Sequence, residues 1–213
     1  MKKSSIIALL LLVGLAGYGQ TVGVYYTKNG AKLTGDKPEG FRIVYDQGFA
    51  LGLFYDIPVA HKVRLSVQPG YQKIQSTIKV PGDEGELKDT LKLKLDYFSL
   101  PLLFKIHPEK SERFYFIAGP QVGFLSESIT TDELGEEQDR SSLFNDLNFT
   151  LNFGFGYRIP IKSLELSIEA KYEQGLVNVT DFGNSRELFS RVKTQGLNLT
   201  IALGWPFRSE ADE

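Results

Sequence analysis

The run Leu197-Asn198-Leu199-Thr200-Ile201-Ala202-Leu203-Gly204-Trp205-Pro206-Phe207 decides the fold. Its large apolar side chains stand at odd positions and mostly small or polar ones at even positions, the period-2 pattern of a strand with two unlike faces. Upstream, Leu147, Phe149, Leu151, Phe153, Phe155 and Tyr157 alternate in the same way with Asn148, Thr150, Asn152, Gly154 and Gly156. Between these two runs, Leu164, Leu166, Ile168, Ala170 and Tyr172 alternate with Glu165, Ser167, Glu169, Lys171 and Glu173. Residues 49–55 and 63–67 carry shorter versions, and 21–27, 97–106 and 114–125 weaker ones. In the last of these, Ile117 and Leu125 fall on the otherwise polar face. Eight strands result, and no helical period competes with them.

The links between the strands sort by length. Residues 57–62, 107–112 and 160–163 are short connections, whereas 28–47, 81–90, 130–146 and 180–193 are long, and the two kinds strictly alternate. One rim of short turns and one of long loops is the mark of an up-and-down barrel in an outer membrane. The fold expected is therefore all-β: an eight-stranded antiparallel up-and-down transmembrane β-barrel with short periplasmic turns and long extracellular loops. A soluble lipocalin-like barrel with Phe and Leu facing a ligand cavity shares the alternation and stays open at this point.

In the membrane orientation the large apolar set faces lipid, and two aromatic rows emerge. Tyr55, Phe104, Phe114, Tyr157, Trp205 and Phe207 lie near the short turns; Phe49, Tyr71, Phe98, Phe124, Phe149 and Tyr172 lie near the long loops. The interior then receives a polar network of Arg64, Gln68, Gln72, Lys105, Gln121, Asn152, Arg158, Glu165, Glu169, Lys171 and Glu173. Eight strands leave an interior that side chains can fill, and charges enclosed there must pair. No open pore is expected, with a narrow channel for small solutes as the alternative.

The apolar phase moves from odd to even positions between Tyr71 and Ile74, and moves again where Leu91, Leu93 and Leu95 give way to Phe98, Leu100, Leu102, Phe104 and Ile106. Both changes are equally distant from the turn-like Pro81-Gly82-Asp83-Glu84-Gly85. They predict one long hairpin rising above the membrane, with a bulge on each strand near the lipid boundary.

The chain of 213 residues is one domain in size, carries a net charge of −2 and contains no Cys. No basic surface argues for nucleic acid, and thiolate metal sites, disulfides and Cys nucleophiles are excluded. Lys2 and Lys3 precede an apolar run, residues 6–16, that is too short to span a bilayer and ends in Gly17-Tyr18-Gly19. Residues 1–19 therefore read as a cleavable export signal, 20–207 as the barrel and 208–213 as a short charged tail.

Candidate sites are few. His61 and His107 both fall in short turns and read as solvent-exposed, with no third ligand for a metal. The segment 130–146 holds Asp132, Glu133, Glu136, Glu137, Asp139 and Asp146 against one Arg140 but lacks calcium-loop spacing, and reads as a mobile solvated loop. Gly154-x-Gly156 lies within a strand and relieves crowding rather than holding a phosphate. Ser126 and Ser128 lie near one rim and both His near the other, about 30 Å apart, so no Ser-His pair forms and no enzyme is expected. No metal or cofactor is expected.

Four segments, in order, resemble a known family. Tyr97-Phe98-Ser99-Leu100-Pro101-Leu102-Leu103-Phe104-Lys105 is similar to the YLEIPLLLK strand of the PorT-like outer-membrane β-barrel family of Bacteroidota. Phe114-Tyr115-Phe116-Ile117-Ala118-Gly119-Pro120-Gln121-Val122-Gly123 resembles its GPqvG strand. Gly154-Phe155-Gly156-Tyr157 and the run from Glu169 to Asn178 resemble its GxGy and RYxxGL segments. The resemblance covers roughly residues 48–204 and implies an eight-stranded, porin-like outer-membrane barrel of a Gram-negative cell, without catalytic residues. The partners then expected are outer-membrane lipid and lipopolysaccharide, the barrel-assembly machinery and an envelope protein met through the loops. The tail after Phe207 departs from the terminal aromatic with which many such barrels finish.

Overall fold

The computed structural model describes residues 19–35, 42–81, 87–132, 135–139, 141, 144–179 and 192–207. The predicted export signal falls almost wholly outside the described residues, as does the predicted tail. Among the described residues the chain is nearly all strand: β1 Thr21–Gly35, β2 Arg42–Tyr45, β3 Gly48–Ala60, β4 Val63–Val67, β5 Gly70–Pro81, β6 Leu87–Ile106, β7 Phe114–Thr131, β8 Glu137–Asp139, β9 Leu147–Ile161, β10 Leu164–Gly175 and β11 Val192–Pro206. No helix among them is long and apolar enough to cross a membrane, which says nothing of a β-barrel.

Every pairing is antiparallel, and the ladder closes on itself. β1 pairs with β3 on one side and β11 on the other. β3 pairs with β4 and then β5, which together form one wall. That wall pairs with β6. The ring then continues through β7, β9, β10 and back to β11. Eight walls result because β4 and β5 are one strand interrupted at Gln68-Pro69, where neighbouring strands keep contact: Gln68 N–H donates to Pro101 O and Leu53 N–H to Pro69 O. The short strands β2 and β8 add to β5 and β7 at the long-loop end. Closure leaves no free edge within the ring.

The walls exceed what a membrane needs. A barrel strand spans with about 9–11 residues, yet β6 has 20 and β7 has 18. Several of the predicted links are accordingly shorter than read: β1 runs on to Gly35, β3 to Ala60, β6 begins at Leu87, β9 runs to Ile161, and the acidic segment after β7 turns back as β8, pairing Glu137, Gln138 and Asp139 with Thr131, Thr130 and Ile129. A hairpin therefore replaces the irregular loop expected over 130–146.

The predicted pair of bulges is not found. β5 and β6 stay in one register from Gly70↔Ser99 to Val80↔Asp89, so neither strand slips at the change of phase. The bulge lies instead on β7, where Asp96 faces Glu127 and Tyr97 faces Leu125, leaving Ser126 between them. What changes is the character of the two faces. Up to Tyr71 and Phe98 the outward positions are apolar; beyond them Ile74, Leu93, Leu95 and Tyr97 point inward and are buried, while Lys73, Gln75, Lys92 and Lys94 point outward. The pleat is unbroken and the residue types trade sides.

Candidate functional site

The interior has three tiers. Nearest the short turns lies a charged cluster. The ammonium of Lys105, 2% exposed, donates to Asp56 Oδ2 and Glu169 Oε1, both at 3.1 Å. Lys171 Nζ donates to Glu169 Oε2 at 3.0 Å, and Tyr115 O–H donates to Glu169 Oε1 at 3.0 Å. The rings of Phe54 and Tyr115 flank the Lys105 ammonium at 5.2 and 5.6 Å from their centroids. Each charge thus meets an opposite one, as enclosed ions require. Tyr115 needs Gly156 beneath it: a Cβ there would lie 2.5 Å from the phenol ring, so only glycine admits the ring at that depth.

The middle tier is a relay of amides. Asn152 Nδ2 donates to Gln121 Oε1 at 3.2 Å, Gln121 Nε2 to Gln72 Oε1 at 2.7 Å, and Gln72 Nε2 to Glu173 Oε2 at 3.2 Å, which also accepts from Asn198 Nδ2 at 2.9 Å. Gln68 is buried beside them and bonds Ser66. The space left among these groups is about 20 Å³, room for about one water.

The top tier is apolar. Leu33, Ile74, Leu93, Leu95, Tyr97, Val179 and Val192 form one buried cluster, with Leu125 and Phe144 packed against it. Of the two apolar residues that fitted the strand pattern of 114–125 least well, Leu125 joins this cluster, and Ile117 packs inside with Leu103 and Tyr115.

At the short-turn mouth, Arg158 pairs with Glu165 at 3.3 Å. Arg64 Nη1 donates to the hydroxyl of Thr21 at 3.3 Å. His107, read from the sequence as exposed, is instead 8% exposed because its ring packs on Tyr115, 5.2 Å between centroids, while its backbone N–H donates to Lys62 O. Burial first, then the positive charges of Arg158 and Arg64, push its pKa down to about 4. His61 is exposed. Among the described residues no cluster of three potential metal ligands exists. Ser126 is exposed and Ser128 buried at the opposite end from both His residues.

All eleven residues assigned to the interior therefore lie inside the ring, Arg64 and Glu165 half-buried at its mouth. Asp56 was missed, although the alternation of β3 put it inward with Ala50 and Phe54; so were the enclosed aromatics Tyr25, Phe54, Tyr97 and Tyr115.

The twelve aromatics assigned to two rows are all on the outer face. Toward the long loops, Tyr26, Phe49, Tyr71 and Phe98 are in ring contact from strand to strand, and Phe124 faces Phe98 across the β6–β7 ladder. Phe149 and Tyr172 are half-buried on neighbouring strands. Toward the short turns stand Tyr55, Phe104, Phe114, Tyr157, Trp205 and Phe207, and Phe114 contacts Phe116 and Phe155. Between the rows lie exposed Leu51, Leu53, Leu100, Phe153, Leu199 and Ile201. Phe153 and Leu199, which a soluble lipocalin-like binder would turn inward, are 49% and 61% exposed.

A family model described as outer membrane protein beta-barrel domain matches residues 15–181. Among solved structures, the chain is similar to Neisserial surface protein A (11% identity, covering 89% of this chain and 97% of that one, TM-score 0.45). It is also similar to the outer membrane protein OprG from Pseudomonas aeruginosa (17% identity, 90% and 97% covered, TM-score 0.43). A third similarity is to Ail, the attachment invasion locus protein of Yersinia pestis, crystallised with a heparin analogue (15% identity, 90% and 100% covered, TM-score 0.40). No curated protein matches the sequence significantly.

Proposed function

This chain belongs to the family of outer membrane protein beta-barrel domains, and from that premise we propose that it is a closed, non-enzymatic barrel working through its long-loop end rather than through its lumen. The observation that carries this reading is the stacking of three filled tiers across the ring: the Lys105–Asp56–Glu169 cluster, the Gln72–Gln121–Asn152 relay and the apolar cap around Leu95 and Tyr97. A solute crossing the ring would have to displace buried charges from their partners, at a cost of several kcal/mol each. The long-loop rim, extended by β2 and β8, is then the surface that meets lipopolysaccharide and a protein partner in the envelope, and the short turns face the periplasm.

In the same reading, residues 1–19 direct export, and Trp205 or Phe207 supplies the terminal aromatic that the assembly machinery engages. The finer kinship is with the PorT-like barrels, on the four segments quoted above. Purified protein reconstituted in planar bilayers is expected to give no unitary conductance while showing heat-modifiable gel migration as a folded barrel. Regular single-channel steps from the folded species would replace this reading with the narrow channel.

A further inference from the structure

The short-turn mouth is a cup of about 620 Å³ opening on the ring's interior, and its charges do not balance. Four permanent cations line it, Lys62, Arg64, Arg113 and Arg158, against two carboxylates, Glu112 and Glu165. Both carboxylates are engaged: Glu112 with Lys62 at 3.4 Å, and Glu165 with Arg158 at 3.3 Å. Among the described residues no carboxylate stands within ion-pair distance of Arg64 or Arg113. Among the described residues the Thr21 hydroxyl is the side-chain hydrogen-bond partner of Arg64, which feels the like charge of Arg158 together with the opposite charges of Glu165 and Asp56 beyond ion-pair distance. His107 lines the same cup, more than nine-tenths buried, its ring set against Tyr115 and the backbone of Phe114.

We propose that this cup is a binding site for a small multivalent oxyanion, held between the guanidinium groups of Arg64 and Arg158. Planar guanidinium forks match the paired oxygens of phosphoryl and carboxylate groups, and charge-assisted hydrogen bonds there are about twice as strong as neutral ones. The ligand stops at the floor of the cup, because the Lys105–Asp56–Glu169 cluster fills the ring beyond it. Glu165 competes with the ligand for Arg158, so the site is built for an anion strong enough to share that guanidinium. Which compartment supplies the ligand rests on the proposed orientation; the site itself does not.

The test is calorimetric titration of inorganic pyrophosphate into the folded protein in a zwitterionic detergent, with heat-modifiable migration verifying the barrel in every variant. Saturable binding at one site is expected. Arg64→Gln should weaken it roughly tenfold, the worth of one charge-assisted contact, and Glu165→Gln should tighten it several-fold by freeing Arg158. An exposed-surface control, Lys28→Gln, should change nothing. Absence of saturable binding to a correctly migrating wild type overturns the proposal, as does equal binding by wild type and Arg64→Gln. Repeating the titration in nanodiscs rich in anionic phospholipid identifies the source: lost pyrophosphate binding assigns the phosphoryl group to a lipid headgroup, and retained binding assigns it to a solute.

Discussion

The same eight walls pass through two environments and reverse their chemistry between them. Below Tyr71 and Phe98 the ring is polar inside and apolar outside: Lys105, Glu169 and Asn152 are enclosed while Leu53, Phe153 and Leu199 are exposed. Above that line it is apolar inside and polar outside, with Leu93, Leu95 and Val192 enclosed and Lys73, Gln75 and Lys94 outside. Pairing runs through the boundary on β5 and β6 without a slip, so the backbone does not choose the faces. The solvent outside does: acyl chains accept Leu and Phe, whereas above the aromatic row water accepts Lys and Gln. The inner face follows by elimination, ionic where ions are fully paired and apolar where burial must supply cohesion.

The sharpest way to break the lower tier is Glu169→Leu, which strips carboxylate partners from Lys105 and Lys171. Uncompensated buried charge costs about 3–5 kcal/mol, and urea titration in detergent should show the midpoint fall accordingly. In the upper tier, Leu95→Ala removes a side chain 1% exposed and should cost about 3 kcal/mol, within the range of core truncations. Tolerance to charge on the outer face separates the tiers again: Leu199→Arg should cost about 2–4 kcal/mol in a bilayer, while Gln75→Arg, above the row, should stay within about 0.5 kcal/mol. The remaining expected effect, read through pH, is at the short-turn mouth. Because the folded state holds the His107 pKa down to about 4, against about 6.5 in the unfolded chain, the unfolded chain binds the proton first. Stability from this group is complete above about pH 6.5 and is lost as pH falls toward 4. His107→Gln, neutral throughout, should lose less stability than wild type between pH 7 and pH 4.5, read as the difference in urea midpoint.

Much of this was legible in the sequence. Residues 197–207 and 147–157 display the two faces openly, because lipid outside and a crowded ionic lumen inside impose opposite residue types on successive positions. The enclosed ions could be read from the same alternation, down to Glu169 and Lys171. Two features could not. The change of phase at Tyr71 and Tyr97 looked like a shift of backbone register, because alternation records which side is apolar and not which solvent lies outside. His107 looked exposed because its place in a short turn says nothing of Tyr115, whose ring reaches it from the neighbouring strand.

Trp205 offers the most direct test that the outer face meets lipid, since it is the only Trp in the chain and lies in the aromatic row toward the short turns, on the outer face at 48% exposure. Reconstituted into vesicles of brominated phospholipid, the folded protein should show blue-shifted Trp205 emission, strongly quenched by the bromines and protected from aqueous iodide. Emission at the wavelength of water-exposed Trp, quenched by iodide and indifferent to brominated chains, would contradict a barrel that turns its large apolar side chains to lipid.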